Sequence, residues 1–370
     1  MTLDAAAPAR TTGTVRVVGT GLLGTSAALA LTLRGVDVVL ADPSPTAVAL
    51  ARDLGAGRFA GPGDDPALVL VACPPDVVAD VVAEELARSP RAVVTDVASV
   101  KGGPLAALRA RGADLTRYVG SHPMAGRERS GAVAARTDLF AGRPWVIAAT
   151  EVTGPAARQA VHDLAADCGA VPVTMPAHEH DEAVALVSHA PQVAASLVAA
   201  RLREAAEPAV GLAGQGLRDV TRIAASDPTL WAQILAGNAA PVADVLEALR
   251  ADLDDVIGAL RALAQDPVAP GARARLARVI ADGGAGRDRI PGKHGSAPTL
   301  YRTVVVVVPD RPGALAALLT DVGRAGVNLE DLRLEHSEGQ AVALASIDVL
   351  PASADPLTEA LRARGWTVPH

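Results

Sequence analysis

Aromatic side chains are scarce in this sequence, which has three Trp, two Tyr and two Phe among its 370 residues. Proteins that bind single-stranded nucleic acid stack the bases on aromatic side chains, so this composition argues against that function. The formal net charge of −7 also offers no electrostatic attraction to phosphate backbones. We therefore expect no nucleic-acid partner.

Cysteine and long apolar runs are scarce as well. The two cysteines, Cys73 and Cys168, have no metal-ligand spacing, so we expect a reducing compartment and no disulfide framework. Residues 1–14 lack the basic start and continuous apolar core of a signal peptide. No stretch of about 18 apolar residues is free of charges and proline. These absences predict a cytoplasmic protein without a membrane span.

Hydrophobic residues, by contrast, make up 50% of the chain, and its length predicts two or three domains. Residues 13–176 alternate short β-rich runs with helical stretches, which is typical of a Rossmann-type, doubly wound parallel sheet. Residues 177–281 carry apolar side chains at three- and four-residue spacing, which predicts an all-α domain. Within it, Asp227 as an N-cap and Pro228 at the first helical position predict the start of a helix. The predicted strands of the first domain are Thr14–Gly19, Asp37–Ala41, Leu68–Ala72, Ala92–Asp96, Tyr118–Gly120, Trp145–Ala149 and Val171–Thr174.

Two further segments complete the chain. Residues 282–298 belong to a stretch rich in Gly, Pro and Arg, which we interpret as a linker. The alternative is a basic strip that touches a partner subunit. Residues 299–370 follow the order of a βαββαβ unit and predict a small ferredoxin-like α+β domain with its own core.

The pattern Gly19-x-Gly21-x-x-Gly24 directly follows the first predicted strand and opens a helical run. Glycines there permit a tight turn and let backbone N–H groups approach a pyrophosphate at the helix N-terminus. We include the intervening Leu22 and Leu23 in the predicted cofactor site. The alternative is a glycine turn that holds no ligand.

The second predicted strand leads into Asp42. An acid at this point accepts hydrogen bonds from the adenosine ribose hydroxyls and repels a 2′-phosphate. The expected cofactor is therefore NAD. Arg52 on the following helix leaves NADP as an alternative.

Polar side chains also follow later strands, where ligands bind in open parallel sheets. Ser99 comes after the fourth strand and is a candidate for binding a substrate hydroxyl or the nicotinamide amide, with a helix N-cap as the alternative. His122 follows the fifth strand, and Pro123 restricts its backbone. A histidine there can act as general base for an alcohol being oxidised; a structural histidine is the alternative.

Four segments in this order, "DVASVKG", "GSHPMAG", "HEHDEAVALVSHAPQ" and "GLRDVTRIAASDPTLW", resemble the prephenate dehydrogenase family, also called cyclohexadienyl dehydrogenases. The tail "VPDRPGALAALLTDVGRAGVNLEDL" resembles an ACT domain. The resemblance implies a homodimer that oxidises and decarboxylates prephenate to 4-hydroxyphenylpyruvate with NAD in tyrosine biosynthesis. It also implies tyrosine as an effector, with Gly313 and Asn328 in the candidate ligand-binding loops.

The resemblance also implies roles for individual residues. His122 takes the hydroxyl proton, Ser99 holds the same oxygen, and Arg222 binds a substrate carboxylate, which suits a bidentate guanidinium. His189 occupies a family position near the substrate pocket, with a packed core histidine as the alternative. A set of charged residues is predicted to form ion pairs at the mouth of the cleft: Glu128, Arg218 and Asp219.

Other functions remain open from the sequence. Arogenate, which carries an amino group in place of the keto oxygen, is the alternative substrate. A non-catalytic sensor of NAD and amino acids is the alternative from another functional class, and Ser99, His122 and Arg222 argue against it.

On an uninterrupted helix His178, His180 and His189 point in different directions, so we expect no metal site.

Overall fold

The computed structural model of the chain describes residues 8–126, 131–291, 301–336 and 341–369. The described residues form two compact units, one that ends at Arg250 and one that begins at Ala251, and the boundary falls within a long helix, Ala239–Gln265. The first unit contains the predicted sheet and most of the predicted helical region. The second unit contains the predicted α+β domain.

The described part of Met1–Arg250 contains an eight-stranded sheet in the order β3-β2-β1-β4-β5-β6-β7-β8. Its order from β3 to β6 is that of a Rossmann sheet, which confirms the predicted fold class. The strands are β1 (Val15–Val18), β2 (Val38–Ala41), β3 (Arg58–Phe59), β4 (Leu68–Val71), β5 (Val93–Asp96), β6 (Tyr118–Pro123), β7 (Pro144–Ala148) and β8 (Val171–Thr174).

The last two strands run against the rest of the sheet. β7 pairs antiparallel with β6, with His122 opposite Val146, and β8 is parallel to β7. An all-parallel sheet is therefore not what the chain forms. The predicted strand Tyr118–Gly120 is also too short, because β6 continues to Pro123.

Five helices cover this sheet: α1 (Leu22–Leu33), α2 (Pro45–Asp53), α3 (Val78–Arg88), α4 (Gly102–Ala110) and α5 (Pro155–Asp167). The central strands β1 and β4 are almost entirely apolar and are sealed between the helical layers, as expected of a parallel sheet covered on both faces. The sheet thus provides a rigid frame whose strand ends carry the polar side chains described below.

The helical region begins with α6 (Ala177–Val184), a π-helical segment (Ala185–His189) and α7 (Ala190–Ala200). Short helical segments follow: Arg201–Glu204, α8 (Glu207–Val210), α9 (Gln215–Thr221) and the 3₁₀ turn Arg222–Ala224. α10 (Pro228–Gly237) starts as the sequence predicts, because the Asp227 carboxylate accepts a hydrogen bond from the Leu230 amide and Pro228 occupies the first helical position. α11 (Ala239–Gln265) follows it.

The run Ala177–Glu204 is apolar enough by composition, with a mean hydropathy of 1.5, to match the length and character of a membrane span. It carries His180, Asp181 and His189, which are buried and hydrogen-bonded to other parts of the unit. Because His180 pairs with strand β6 and Asp181 with the start of α4, we interpret this run as a helix of the folded unit.

The unit Ala251–His370 contains α12 (Ala272–Arg287), so the first residues of the predicted linker are helical. The elements of the α+β domain are β9 (Arg302–Pro309), α13 (Ala314–Arg324), β10 (Asp331–His336), β11 (Val342–Val349) and α14 (Pro351–Ala363). The sheet order is β10-β11-β9, and Thr367 bridges Val307 on the free side of β9. This arrangement is that of a ferredoxin-like βαββαβ unit, as predicted.

Candidate active site

The glycine loop between β1 and α1 leaves room for a ligand. Gly19 has a φ of +98°, and a β-carbon there would lie 2.4 Å from the Ala72 carbonyl oxygen. Gly21 is the N-cap of α1 and provides no side-chain cap, while Leu22 and Leu23 begin the helix half-buried. The first amides of α1 are thus available to an anion, and a β-carbon on Gly21 would meet no atom within 4 Å.

Asp42 connects this loop to the end of β2. Its Oδ2 accepts hydrogen bonds from the amide and hydroxyl of Thr20, at 2.8 and 3.1 Å, and its Oδ1 accepts one from the Ser44 amide. The carboxylate is therefore fixed beside the glycine loop, where an adenosine ribose would lie in a dinucleotide fold. The guanidinium of Arg52 pairs with Asp53 and lies 4.5 Å from the centre of the Phe59 ring.

These features fit a nicotinamide dinucleotide. The uncapped start of α1 and the open space at Gly21 suit a pyrophosphate, and Asp42 suits an unphosphorylated ribose.

Ser99 lies half-buried in the turn between β5 and α4. It is not the N-cap of α4, because Lys101 holds that position. The cap is supplied from a distance: the Asp181 carboxylate accepts hydrogen bonds from the amides of Lys101 and Gly102, at 2.8 and 2.7 Å. This contact attaches α6 to the cofactor side of the sheet.

His122 lies within β6, whereas the sequence places it after the strand. Its side chain is buried, and Nδ1 is 2.9 Å from Nε2 of His180. On its other side, His180 Nδ1 is 2.8 Å from Oδ1 of Asp181. His180 and Asp181 are not predictable from the sequence as partners of His122, because no local signal relates a strand to a helix 58 residues later.

A second buried network lies beneath His122. The Lys101 ammonium pairs with the Asp96 carboxylate and donates to the Ser121 carbonyl oxygen at 2.7 Å. The Tyr118 hydroxyl donates to the other oxygen of Asp96, also at 2.7 Å. Lys101 is only 1% exposed, so its charge acts on its neighbours with little screening by water.

These surroundings shift the proton affinities of the site. Burial is the main reason that the pKa of His122 lies well below its ordinary value, and the His180 ring and the Lys101 ammonium lower it further. Burial also lowers the pKa of Lys101, although Asp96 opposes that effect. The site therefore presents a neutral imidazole at neutral pH, which is the form that accepts a proton.

Burial alone raises the pKa of the Asp181 carboxyl, but hydrogen bonds from the His180 ring and from the Lys101 and Gly102 amides outweigh it. The net result is a pKa below the ordinary value, so Asp181 is a carboxylate at neutral pH. A carboxylate only accepts hydrogen bonds.

His189 is also brought toward this network. The π-helical segment adds about one residue to a turn and rotates the following residues by about 100° relative to an uninterrupted α-helix. His189 Nδ1 is 3.1 Å from the Asn238 amide nitrogen, which also donates to the Asp181 carbonyl oxygen. The expectation that His180 and His189 point in different directions assumed an uninterrupted helix, which the π-helical segment breaks. Trp231 packs edge-on against His189.

Arg222 lies in the 3₁₀ turn that follows α9 and is exposed. Arg218 lies on α9, which ends at Thr221, so Arg218 and Arg222 do not share an uninterrupted α-helix. Asp219 accepts a hydrogen bond from the Gln215 side chain at 2.8 Å. Glu128, the third member of the predicted ion pairs, lies outside the described residues.

One contact lies within the helical region beside Arg222, and another joins this region to the sheet. The buried Gln192 of α7 donates from Nε2 to the Ile223 carbonyl oxygen at 2.9 Å, directly beside Arg222. Gln233 of α10 donates to Asp76, in the loop that follows β4, at 3.0 Å. The helical region therefore contacts the cofactor side of the sheet.

The candidate effector residues lie in the other unit. Gly313 is the N-cap of α13 with a φ of +86°, a conformation that favours glycine. Asn328 lies in the loop before β10, and its amide donates to the Glu330 carboxylate at 3.2 Å.

Comparison with known families gives two matches. Residues 27–174 match the model described as "Prephenate dehydrogenase, nucleotide-binding domain". Residues 176–271 match the model described as "Prephenate dehydrogenase, dimerization domain". A curated protein of Streptomyces niveus, "Probable prephenate dehydrogenase NovF", is 40% identical over 356 residues, which span 95% of this chain and 98% of that protein.

Two solved structures are similar as well. The prephenate dehydrogenase of A. aeolicus, in complex with hydroxyphenyl propionate and NAD+, is 26% identical with a TM-score of 0.65, over 76% of this chain and 99% of that one. The arogenate dehydrogenase of Synechocystis is 25% identical with a TM-score of 0.61, over 75% of this chain and 99% of that one.

Proposed function

The chain belongs to the prephenate dehydrogenase family of NAD-dependent oxidoreductases, and from this premise we propose how its residues divide the work of oxidising and decarboxylating prephenate. The observation that carries the proposal is the position of His122: a buried imidazole on the cofactor side of the sheet, hydrogen-bonded through Nδ1 to His180, with burial lowering its pKa. Such a group accepts the proton of an alcohol as its carbon is oxidised.

The proposed mechanism assigns the proton to His122. Nε2 of His122 takes the proton from the ring hydroxyl of prephenate, and Ser99 orients the same oxygen. NAD, when bound, accepts the hydride from the hydroxyl carbon. Loss of the ring carboxylate as CO2 leaves its bonding electrons in the ring, which becomes aromatic. The proton on His122 then returns to the phenolic oxygen, so no net proton is consumed.

Arg222 is the proposed carboxylate-binding residue, because a guanidinium forms two parallel hydrogen bonds with a carboxylate. Replacing it with Ala is expected to raise the KM for prephenate by about tenfold or more. Arg203→Ala is the matched control, since Arg203 is an exposed arginine of the same helical region with no predicted role in the cleft. An unchanged KM in Arg222→Ala would argue against this assignment.

His122→Asn tests the central role. We expect kcat to fall by about 10²–10⁴-fold while NAD still binds, because Asn cannot accept the proton. NADH formation and NAD binding would be measured on the same preparation. Turnover equal to that of the unmodified enzyme would remove His122 from the mechanism.

The choice of prephenate over arogenate is tested by a crossed assay. Steady-state turnover with both substrates, each with NAD and with NADP, distinguishes the four combinations. We expect prephenate with NAD to give the highest kcat/KM. Activity with arogenate alone would make the chain an arogenate dehydrogenase, the function named for the similar Synechocystis protein.

The enzyme is further proposed to be a cytoplasmic homodimer. The match to a dimerization domain supports this, as do large apolar side chains exposed in the helical region: Leu186, Val187, Leu197, Leu212 and Val220. Equilibrium sedimentation tests it, and a monomer at micromolar concentration would contradict it.

Tyrosine is the proposed effector of the ACT-like domain, with Gly313 and Asn328 in its binding loops. If so, Asn328→Ala weakens inhibition by tyrosine and leaves uninhibited turnover unchanged, whereas the exposed Glu359→Ala on α14 changes neither. Equal inhibition of Asn328→Ala and the unmodified enzyme would contradict this binding site.

A further inference from the structure

A continuous chain of hydrogen bonds lies behind the proposed base. It runs from His122 Nδ1 to His180 Nε2 at 2.9 Å, and from His180 Nδ1 to Asp181 Oδ1 at 2.8 Å. His180 has no exposed surface, so both of its ring nitrogens depend on these two partners. In the described part of the chain, Nε2 of His122 has no hydrogen-bond partner.

The direction of each hydrogen bond follows from Asp181, the last residue in this chain of hydrogen bonds. Asp181 is ionised and only accepts, so Nδ1 of His180 must carry a proton. A His180 ring that carries no second proton has its lone pair on Nε2 and accepts a hydrogen bond from His122. Nδ1 of His122 consequently carries the proton, and its lone pair lies on Nε2.

Asp181 is itself held in place. Both carboxylate oxygens accept backbone hydrogen bonds at the start of α4, from Lys101 and Gly102. Its carbonyl oxygen accepts one from the Asn238 side chain at 2.8 Å. Because the two amides donate to both carboxylate oxygens, they keep the carboxylate from turning away from His180.

We propose that His180 and Asp181 are positioning residues that hold His122 in the one tautomer able to take a proton at Nε2. This inference rests on the proposed role of His122 as the base. In the opposite tautomer Nε2 carries a proton, and the ring has no acceptor for the substrate hydroxyl. A buried chain ending in a fixed carboxylate excludes that tautomer.

Two substitutions of His180 separate this role from simple packing. In His180→Gln, the side-chain oxygen can accept from His122 while the side-chain nitrogen donates to Asp181, so the order of donors and acceptors is kept. In His180→Leu, both hydrogen bonds are lost. We expect the single-turnover rate of NADH formation to fall about 10²–10³-fold in His180→Leu and at most about tenfold in His180→Gln. NAD binding is expected to be unchanged in both.

Nitrogen NMR of the enzyme labelled with ¹⁵N-histidine gives a readout that packing alone would not move. We expect the His122 ring, identified by its loss in His122→Asn, to be protonated at Nδ1 in the unmodified enzyme and in His180→Gln. In His180→Leu we expect a mixture of tautomers. A protonated Nε2 in the unmodified enzyme overturns the inference, and so does a His180→Leu enzyme with full rate.

The failure of this inference is distinct from the failure of the proposed function. If His122→Asn retains full turnover, His122 is not the base and the proposed function itself fails. If His122→Asn is inactive but His180→Leu keeps the rate and tautomer of the unmodified enzyme, only the positioning role is wrong. Should His180→Leu not fold, His180→Gln decides, because a loss of rate above about tenfold with the tautomer unchanged contradicts the proposal.

Discussion

Gly19 and Gly24 lie so close together that a β-carbon on Gly24 would come within 2.0 Å of the Gly19 carbonyl oxygen. The folded chain itself therefore has no room for a side chain at position 24. Gly21 differs, because a β-carbon there meets no atom within 4 Å and its φ of −76° suits any residue. A bound pyrophosphate, by contrast, would have to lie close to the backbone at Gly21.

Substitution by Ala is therefore expected to have different effects at Gly24 and at Gly21. Gly24→Ala is expected to lower the free energy of unfolding by about 1–3 kcal/mol, because the backbone must move to admit the methyl group. Gly21→Ala is expected to keep the stability of the unmodified enzyme and raise the KM for NAD by about tenfold. Thermal unfolding and steady-state kinetics measure both. A destabilised Gly21→Ala with an unchanged KM would contradict the assignment.

The lowered pKa of His122 predicts the acid limb of the pH profile. The base must be unprotonated, so activity is present above the pKa of His122 and is lost as the pH falls through it. Burial places this pKa well below its ordinary value, so we expect kcat/KM for prephenate to be maintained below pH of about 6.5, the value for an ordinary histidine. NAD binding measured over the same range is the control. An acid limb above pH of about 6.5 would contradict the prediction.

The two thiols are predicted to be inert in the folded enzyme. Burial, followed by the nearby Asp96 carboxylate, raises the pKa of Cys73 to about 12, and burial also raises the pKa of Cys168. Because the thiolate is the reactive form, iodoacetamide at pH 8 should modify neither residue during an hour of incubation. Mass spectrometry would detect the products, and the same treatment in guanidinium should label both. Rapid labelling of native Cys73, which is half-buried, would contradict its raised pKa.

Local patterns were sufficient to predict most of the framework. The strand β8 was predicted with its observed ends, and the start of α10 followed from the Asp227–Pro228 cap. Glycine spacing located the cofactor loop, because it depends on neighbouring residues alone. The reversal of β7 was not predicted, since an apolar strand has the same pattern in either direction.

The interior of the site depends on contacts that sequence spacing does not reveal. His122 was identified as a candidate, but its partner His180 is 58 residues away on another element. The cap of α4 likewise comes from Asp181 and not from the nearby Ser99. The π-helical segment, which changes the direction of His189, breaks the helical periodicity on which the opposite expectation relied.

Gln192 predicts how the position of Arg222 is maintained. The buried Gln192 amide donates to the Ile223 carbonyl oxygen at 2.9 Å, and this bond fixes the turn that carries Arg222. Gln192→Ala should raise the KM for prephenate about three- to tenfold, with kcat and the KM for NAD within about twofold of the unmodified enzyme. Gln215→Ala, which removes a side-chain hydrogen bond to Asp219 on α9, is the matched control and should leave all three unchanged.

A double-mutant cycle distinguishes positioning of Arg222 from an independent contact of Gln192 with substrate. If Gln192 acts through Arg222, the Gln192→Ala change should add less than about twofold to the KM for prephenate once Arg222 is already Ala. Independent contacts would give effects that multiply, because each side chain would then contribute separately to substrate binding. The cycle requires that both single variants stay folded, which circular dichroism and thermal unfolding would establish before the kinetics are compared. Multiplying effects in folded variants would assign Gln192 to the substrate pocket itself.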